Sequence, residues 1–202
     1  MRRTNVPNNN LISQARDFAQ EQHLGQTRKG KDIPYFEHVA QIARTLSNYG
    51  FRDEVVAAGY LHDVTEDVEG THLEDIECEF NEEVAQLVDG ASEHDKSASW
   101  DERKQHTLDY LENEASMEEV AIKAADKIDN VRSINQELAK KDEDLWSKFN
   151  APRQEQNWYH TQLLEITQRR IQNCEDKTQG NLEALHQELK TEIQHVFQTS
   201  LS

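Results

Sequence analysis

Apolar residues recur every three or four positions along almost the whole chain, and no segment alternates convincingly between apolar and polar residues. This spacing places apolar side chains on one face of a helix, whereas a half-buried strand would need a period of two. The 202 residues include only 7 Gly and 3 Pro, too few for a fold of short strands and turns. We therefore predict an all-α fold. The clearest stripes are Leu11, Ile12, Ala15, Phe18 and Ala19 near the start and Leu182, Leu185, Leu189, Ile193 and Val196 near the end.

Capping boxes, in which Ser or Thr is followed three residues later by Glu, predict three of the helix starts. The three pairs are Thr71 with Glu74, Ser99 with Glu102, and Ser116 with Glu119. Further helices are predicted over 35–49, from Asp53 through Asp67, past Pro152, and after Gly180, which we expect to end the region before it. We expect a loose N-terminal arm over 1–10, a main helical domain over 11–176, and a C-terminal helix over 177–202 that packs on or extends the main bundle.

The chain is strongly acidic, with 39 Asp and Glu against 22 Lys and Arg and a formal net charge of −17. Such a surface repels phosphate backbones, which disfavours a general nucleic-acid binder or a protein of anionic membranes. The longest apolar run, Val55–Leu61, is far shorter than the ~20 residues of a transmembrane helix. The N-terminus lacks the apolar stretch of a signal peptide, and Cys78 and Cys174 form no metal or disulfide pattern. We expect a cytoplasmic monomer or homodimer with no nucleic-acid or membrane partner.

A cluster of ionisable residues follows the most apolar helical segment. His62 and Asp63 come directly after the apolar run, and Glu66 and Asp67 lie four residues further on. On a helix, each residue would lie on the same side as its partner four positions away. Burying carboxylates without a positive partner costs several kcal/mol each. A divalent metal ion would neutralise this group.

Two more polar residues lie within apolar helical segments. His38 is flanked by residues expected to face the core, and Asp126 stands between alanines and an isoleucine. With His62 and Asp63 they offer two imidazoles and two carboxylates, a set that suits Mn²⁺, Fe²⁺ or Zn²⁺ better than Ca²⁺ or Mg²⁺. Taken singly, each has an ordinary structural explanation, such as a core histidine, a solvated helix end, or an ion pair of Asp126 with a neighbouring lysine. Their coincidence on three apolar helices favours a metal site.

In their order along the chain, these residues resemble the HD superfamily of metal-dependent phosphohydrolases. The segments are most similar to the hydrolase domain of the RelA/SpoT family in its small stand-alone form, the small alarmone hydrolases. The resemblance implies an HD-domain helical bundle over 11–176. It is carried by Ala19–His38 (AQEQHLGQTRKGKDIPYFEH), Ala57–Asp67 (AAGYLHDVTED), Ile122–Arg132 (IKAADKIDNVR) and Phe149–Leu164 (FNAPRQEQNWYHTQLL).

The resemblance also implies a role for each member of the candidate site. One Mn²⁺ ion would be held by His38, His62, Asp63 and Asp126; Glu66 and Asp67 would orient or deprotonate the attacking water; and Arg28, Lys29 and Asn130 would contact the nucleotide. The implied substrate is a guanosine or adenosine nucleotide with a 3′-pyrophosphate, (p)ppGpp or (p)ppApp. The implied products are pyrophosphate and the 5′-di- or triphosphate.

Two alternatives stay open. One is another HD phosphohydrolase activity, such as a nucleoside monophosphatase; the segment from Arg28 to His38 argues against it, because generic HD enzymes need no such segment. The other is a helical protein that binds a nucleotide without turnover; Glu66 and Asp67 argue against it, because binding needs no pair that activates water. Four residues, Gly30–Ile33, stand where the family usually has three. The sequence leaves both guanine and adenine substrates open.

Overall fold

The computed structural model describes residues 11–93, 97–140, 145–174 and 179–197. Within these ranges every regular element is a helix, apart from an isolated β-bridge between Thr27 and Pro34. The predicted all-α fold class is confirmed. The predicted N-terminal arm over 1–10 lies outside the described residues. No helix in the described ranges combines the length and the apolar composition that crossing a membrane requires.

The chain divides between Ser92 and Glu93 into two compact units. The described part of the first unit contains α1 (Leu11–Gln22), α2 (Phe36–Asn48), α3 (Asp53–Leu61), α4 (Val64–Asp67), α5 (Leu73–Glu79) and α6 (Glu82–Ala91). Helix α3 packs against α1, α2 and α6, and α5 packs against α6. Because α3 is apolar on nearly all sides, it is buried along most of its length. This central helix leads directly into the pair His62 and Asp63.

The described part of the second unit contains α7 (Trp100–Asn113), α8 (Met117–Ala139), a 3-10 helix (Leu145–Lys148), α9 (Arg153–Gln172) and α10 (Gln179–Phe197). Helix α10 packs against α8 and α9, and α9 also packs against α7 and α8. Arg132 of α8 forms ion pairs with Glu188 and Glu192 of α10, and its Nε lies 2.8 Å from Glu192 Oε1. The C-terminal helix is therefore fixed to the helix that carries Asp126.

The two capping boxes predicted in the second unit are confirmed. The Ser99 hydroxyl accepts a hydrogen bond from the Glu102 N–H, and the Glu102 carboxylate accepts one from the Ser99 N–H at 2.9 Å. Ser116 and Glu119 form the same reciprocal pair at the start of α8. These caps satisfy N–H groups that the first turn of a helix leaves without a backbone partner.

The capping box predicted for Thr71 and Glu74 is wrong. Helix α5 begins one residue later, and the N–H of His72 donates to the Asp75 carboxylate at 2.9 Å. The Thr71 hydroxyl donates instead to the Gln22 side-chain oxygen at the end of α1, at 3.0 Å. The Thr71 hydroxyl, which the sequence pattern predicted to cap the helix, therefore makes a tertiary hydrogen bond instead.

The single helix predicted from Asp53 through Asp67 is interrupted. Helix α3 ends at Leu61 and α4 starts at Val64, with Asp63 at φ −98° and ψ −5° between them. The N–H of Asp67 still donates to the Asp63 carbonyl at 2.9 Å, so the chain continues to turn through the break. The predicted stacking along one continuous helix is replaced by two short helices that meet at the ionisable pair.

Two further boundaries differ from the sequence prediction. Gly180 does not end a region but lies in the first turn of α10. Helix α6 was not predicted, although Asn81 provides a signal for its start, because the Asn81 side chain accepts from the Val84 N–H at 2.8 Å.

Gly59 allows α3 to approach α2 closely. A Cβ at Gly59 would lie 2.7 Å from Cδ1 of Leu46 and 3.3 Å from Cα of Ala43, both on α2. The Leu46 side chain is fully buried and the Ala43 atom belongs to the backbone, so neither moves aside freely.

We expect Gly59→Ala to lower the free energy of unfolding by about 1–3 kcal/mol, because overpacking outweighs the gain in helix propensity. Gly180→Ala is the matched control: no atom lies within 4 Å of its added Cβ, and we expect a gain of about 0.4–1 kcal/mol. Urea unfolding of both variants measures the two changes. Equal stabilities for Gly59→Ala and Gly180→Ala would contradict the close packing of α3 on α2.

Candidate functional site

Two buried histidines meet in the first unit. His38 lies on the core-facing side of α2 and His62 directly follows α3, with 4% and 1% of their surfaces exposed. Their ligand nitrogens lie within 4.8 Å of each other. Nδ1 of His62 lies 3.1 Å from the Gly59 carbonyl oxygen, which can only accept, so Nδ1 carries a proton and Nε2 is the ring nitrogen available to a metal ion. A backbone carbonyl that accepts from one ring nitrogen orients the imidazole so that its other nitrogen can bind a metal ion.

Asp63 joins the two histidines through one carboxylate oxygen. Oδ2 of Asp63 lies 3.1 Å from Nε2 of His62 and 3.5 Å from Nε2 of His38, and it accepts a hydrogen bond from the Tyr35 hydroxyl at 2.6 Å. Burial alone would raise the pKa of Asp63, but the neighbouring imidazoles outweigh it and hold the pKa well below its usual range. Asp63 is therefore ionised at neutral pH.

The donor chemistry of this cluster fits a divalent transition metal. Nitrogen atoms of His38 and His62 and an oxygen of Asp63 converge in a largely buried place, and the set contains no thiolate. Mixed imidazole and carboxylate ligands suit Mn²⁺, Fe²⁺ and Zn²⁺. The first unit thus brings together three of the four predicted ligands and forms a candidate metal centre.

The two carboxylates predicted to activate water lie on α4, one turn past the metal cluster. Glu66 is half-buried, whereas Asp67 is exposed. The backbone oxygen of Asp67 accepts a hydrogen bond from the Gln26 side chain at 3.0 Å. This bond ties α4 to the segment that precedes Arg28.

Arg28 and Lys29 lie in a loop between α1 and α2 that is closed by backbone hydrogen bonds. The loop turns at Gly25 and Gly30, with φ of 82° and 73°, in the left-handed region where glycine meets no steric cost. The Arg28 N–H donates to the Ile33 carbonyl at 2.9 Å, so the four residues 30–33 fit within the turn. The Arg28 side chain is half-buried and that of Lys29 is exposed.

Asp126 belongs to the second unit and is buried on α8, with 5% of its surface exposed. One carboxylate oxygen accepts from the Asn130 side-chain amide at 2.7 Å, and the other lies 2.7 Å from the Lys127 ammonium. Burial would lower the pKa of Lys127, but the charge of Asp126 outweighs it and raises the pKa above its ordinary value. Asp126 therefore makes the lysine ion pair that the sequence left open, and it also orients Asn130.

Arg103 and Lys104 lie in a charged stretch near the start of α7, but they do not form a solvated helix face. Both side chains are largely buried and pair with Glu93, with Arg103 Nη1 3.2 Å from Glu93 Oε2. The ammonium groups of Lys104 and Lys127 lie over the Tyr159 ring, 5.1 and 5.8 Å from its centroid. Burial lowers the pKa of Lys104 to about 8. Lys104 lies on the same face of α7 as the buried residues Leu108 and Leu111. This spacing of four and seven residues is the sequence signal that could have predicted the burial of Lys104.

Two histidines that lie in polar stretches of the sequence, His160 and His186, are buried. His160 is 3% exposed, and its Nδ1 lies 2.7 Å from the Gln156 carbonyl oxygen. Burial lowers the pKa of His160 to about 4, so its ring is neutral at physiological pH. His186 on α10 is buried as well, and burial lowers its pKa too.

Comparison with known proteins identifies the class. Residues 15–156, well over half of the chain, match a family model described as an HD domain. The chain therefore belongs to the HD domain family. The residues matched include His38, His62, Asp63 and Asp126.

Two relatives carry the name guanosine-3′,5′-bis(diphosphate) 3′-pyrophosphohydrolase. A protein of Synechocystis sp., named a probable enzyme of this kind, is 33% identical over 129 residues, 62% of this chain and 17% of that protein. MESH1 of Xenopus tropicalis is 35% identical over 127 residues, 61% of this chain and 69% of that protein. The chain thus spans less than a fifth of the long bacterial relative. A crystal structure of lmo0812 from Listeria monocytogenes EGD-e, 34% identical, matches with a TM-score of 0.69 over 80% of this chain and 99% of that chain.

Proposed function

We propose that this protein hydrolyses the 3′-pyrophosphate of guanosine or adenosine alarmones, (p)ppGpp and (p)ppApp. The products are pyrophosphate and the 5′-di- or triphosphate nucleotide. The observation that carries the proposal is the convergence of two buried imidazoles on the Asp63 carboxylate. Membership of the HD domain family and the printed names of the Synechocystis and Xenopus relatives support it.

The proposed cofactor is one Mn²⁺ ion, with His38, His62, Asp63 and Asp126 as its ligands. The nitrogen and oxygen donors of the first unit support this choice of ion. Asp126 is included because it is a buried carboxylate within a segment that resembles the family motif. When bound, such an ion lowers the pKa of a water molecule toward ~7 and neutralises charge on phosphoryl oxygens.

The remaining residues of the site have distinct proposed roles. Glu66 accepts the proton of the attacking water, and Asp67 supports it. The water oxygen forms a bond to the phosphorus attached to the ribose, the bond from that phosphorus to the 3′ oxygen breaks, and the 3′ oxygen takes up a proton. Arg28 and Lys29 border the nucleotide, and the Asn130 amide contacts it.

Positive charge at the site itself would allow this acidic protein to bind a polyanionic nucleotide. The formal net charge of −17 repels nucleotides at a distance, so binding depends on cations at the site itself. The planar guanidinium of Arg28 can stack on a base or donate two hydrogen bonds to phosphate, which lysine cannot do equally well. The wider negative field would also keep nucleic acids away from the site.

Product analysis tests the proposal. The full chain is stripped of metal with a chelator, supplied with Mn²⁺, and incubated separately with ppGpp, pppGpp, ppApp, GMP and AMP. Anion-exchange chromatography then resolves the nucleotides, and assays for phosphate and pyrophosphate identify the released group. We expect pyrophosphate and GDP from ppGpp only in the presence of Mn²⁺.

Each other outcome supports a different class of protein. Release of phosphate from GMP or AMP alone would overturn the proposal in favour of a nucleoside monophosphatase. Tight binding of ppGpp without turnover in any divalent metal would overturn it in favour of a nucleotide-binding protein. The cytoplasmic location, the monomer or homodimer state and the lack of a nucleic-acid partner stay predictions.

A further inference from the structure

The Tyr35 side chain makes the shortest contact to the Asp63 carboxylate that the structure describes. Its hydroxyl donates to Oδ2 at 2.6 Å, and this is the same oxygen that Nε2 of His62 and Nε2 of His38 approach. A hydroxyl bound to an ionised carboxylate at this distance makes a charge-assisted hydrogen bond, about twice as strong as a neutral one. Tyr35 therefore restrains the orientation of a predicted metal ligand.

Tyr35 is itself fixed from several sides. Its ring lies 4.9 Å from the His23 ring and 5.4 Å from the His38 ring, centroid to centroid. Its backbone N–H donates to the Gln26 carbonyl at 2.9 Å. The Gln26 side chain in turn joins Nδ1 of His23 at 2.8 Å and the backbone oxygen of Asp67 at 3.0 Å. The tyrosine hydroxyl thus stands on a rigid support rather than on a freely rotating side chain.

We propose that Tyr35 is a positioning residue of the metal centre, which fixes the carboxylate of Asp63 for its ion. The inference rests on the proposed metal-dependent function, and it adds a residue that acts on the ion through one of its ligands. Groups that hydrogen-bond to metal ligands orient them and tune the affinity for the ion, and their loss typically weakens binding about 10–100-fold. The geometry assigns this role to the Tyr35 hydroxyl and not to its ring.

The position of Tyr35 also links two parts of the site. It closes the loop that carries Arg28 and Lys29, since the bridge between Thr27 and Pro34 ends one residue before it. The same residue contacts Asp63. The Tyr35 side chain therefore connects this loop to a predicted metal ligand.

Removal of the hydroxyl alone tests the proposal. In Tyr35→Phe the ring contacts with His23 and His38 remain and the hydrogen bond to Asp63 is lost, so we expect the metal-free protein to stay folded and to melt several degrees below the wild type. We expect the Kd for Mn²⁺, measured by calorimetry without nucleotide, to rise about 10-fold or more. We also expect the electron paramagnetic resonance spectrum of the bound Mn²⁺ to change, because the Asp63 carboxylate is free to rotate.

Tyr60→Phe provides the matched control. Tyr60 lies on α3 and its ring stacks on Phe36, 6.3 Å away, so the same atom is removed within the same unit. We expect the Mn²⁺ affinity and spectrum of Tyr60→Phe to equal those of the wild type. An equal loss of Mn²⁺ affinity in Tyr60→Phe and Tyr35→Phe would overturn the positioning role, because the effect would then not depend on the hydrogen bond to Asp63.

Two other outcomes separate this inference from the proposed function. Equal Mn²⁺ affinity and equal spectra for Tyr35→Phe and the wild type would overturn the role of Tyr35 and leave the proposed function standing. Failure of the wild type to bind Mn²⁺ would overturn the metal centre and the inference together.

Discussion

Asp63→Asn is expected to lower kcat/KM for Mn²⁺-dependent pyrophosphate release by about 10³-fold or more. The asparagine amide keeps the shape of the side chain but removes the negative charge on which two imidazoles and the Tyr35 hydroxyl converge. A bound metal ion stabilises transition-state charge by several kcal/mol, and each loss of about 1.4 kcal/mol is a tenfold loss of rate. We expect Mn²⁺ affinity to fall in parallel, which calorimetry without substrate measures.

Asp53→Asn is the matched control for this prediction. Asp53 is the first residue of α3, at the opposite end of that helix from Asp63, and the substitution removes the same charge. We expect its activity and Mn²⁺ affinity to stay within about twofold of the wild type, as for most substitutions away from a functional site. Unchanged Mn²⁺ binding in Asp63→Asn would show that this carboxylate is not a metal ligand.

Most of the fold could be predicted because helix signals are local. The Ser99 and Ser116 capping boxes are complete within four residues, and the structure has both. The apolar stripe of α10 is likewise visible in the sequence, and Leu182, Leu185 and Leu189 are fully buried. Periodicity and capping depend on neighbours a few positions away, so one sequence contains enough information for them.

The break between α3 and α4 could not be predicted from the sequence. The two residues at the break, His62 and Asp63, are not helix breakers such as glycine or proline. The structure indicates a tertiary origin. The Ser92 hydroxyl lies 3.1 Å from the His62 carbonyl oxygen and shares its one proton between that oxygen and the Val88 carbonyl oxygen, and Tyr35 binds the Asp63 carboxylate. Both partners lie about thirty residues away in the sequence. Propensity gives no signal for contacts at that separation.

The free-energy cost of burying a polar side chain was the basis for predicting the candidate metal cluster. The same argument did not identify the buried pairs that Arg103 and Lys104 make with Glu93. His38 and Asp63 stood out because a polar group beside apolar neighbours needs a partner. Arg103 and Lys104 did not stand out, because their partner Glu93 lies ten and eleven residues earlier, outside helical spacing. When a helix face carries both polar and apolar residues, the sequence pattern is the same whether a charged side chain there is exposed to solvent or buried in an ion pair.

Glu66→Gln is expected to lower kcat by about 10²–10⁴-fold, the usual contribution of a proton-accepting side chain. Because Glu66 is not a proposed ligand, we expect the Kd for Mn²⁺ to change little, in contrast to Asp63→Asn. The half-buried position of Glu66 on α4 and the exposure of Asp67 favour Glu66 as the acceptor. Asp67→Asn is therefore expected to lower kcat by a smaller factor. Steady-state kinetics with saturating Mn²⁺, combined with calorimetry of the ion alone, separates the two effects.

Glu69→Gln, two residues past the end of α4, makes the same chemical change at an exposed position and should retain wild-type kcat. A loss of kcat in Asp67→Asn with full activity in Glu66→Gln would reverse the assigned roles. Equal losses in all three variants would mean that the acidity of the segment, and not one carboxylate, supports the reaction. If only Glu66→Gln loses kcat and its Mn²⁺ affinity is unchanged, proton transfer depends on Glu66 and ion binding depends on other residues. The two functions would then be lost independently.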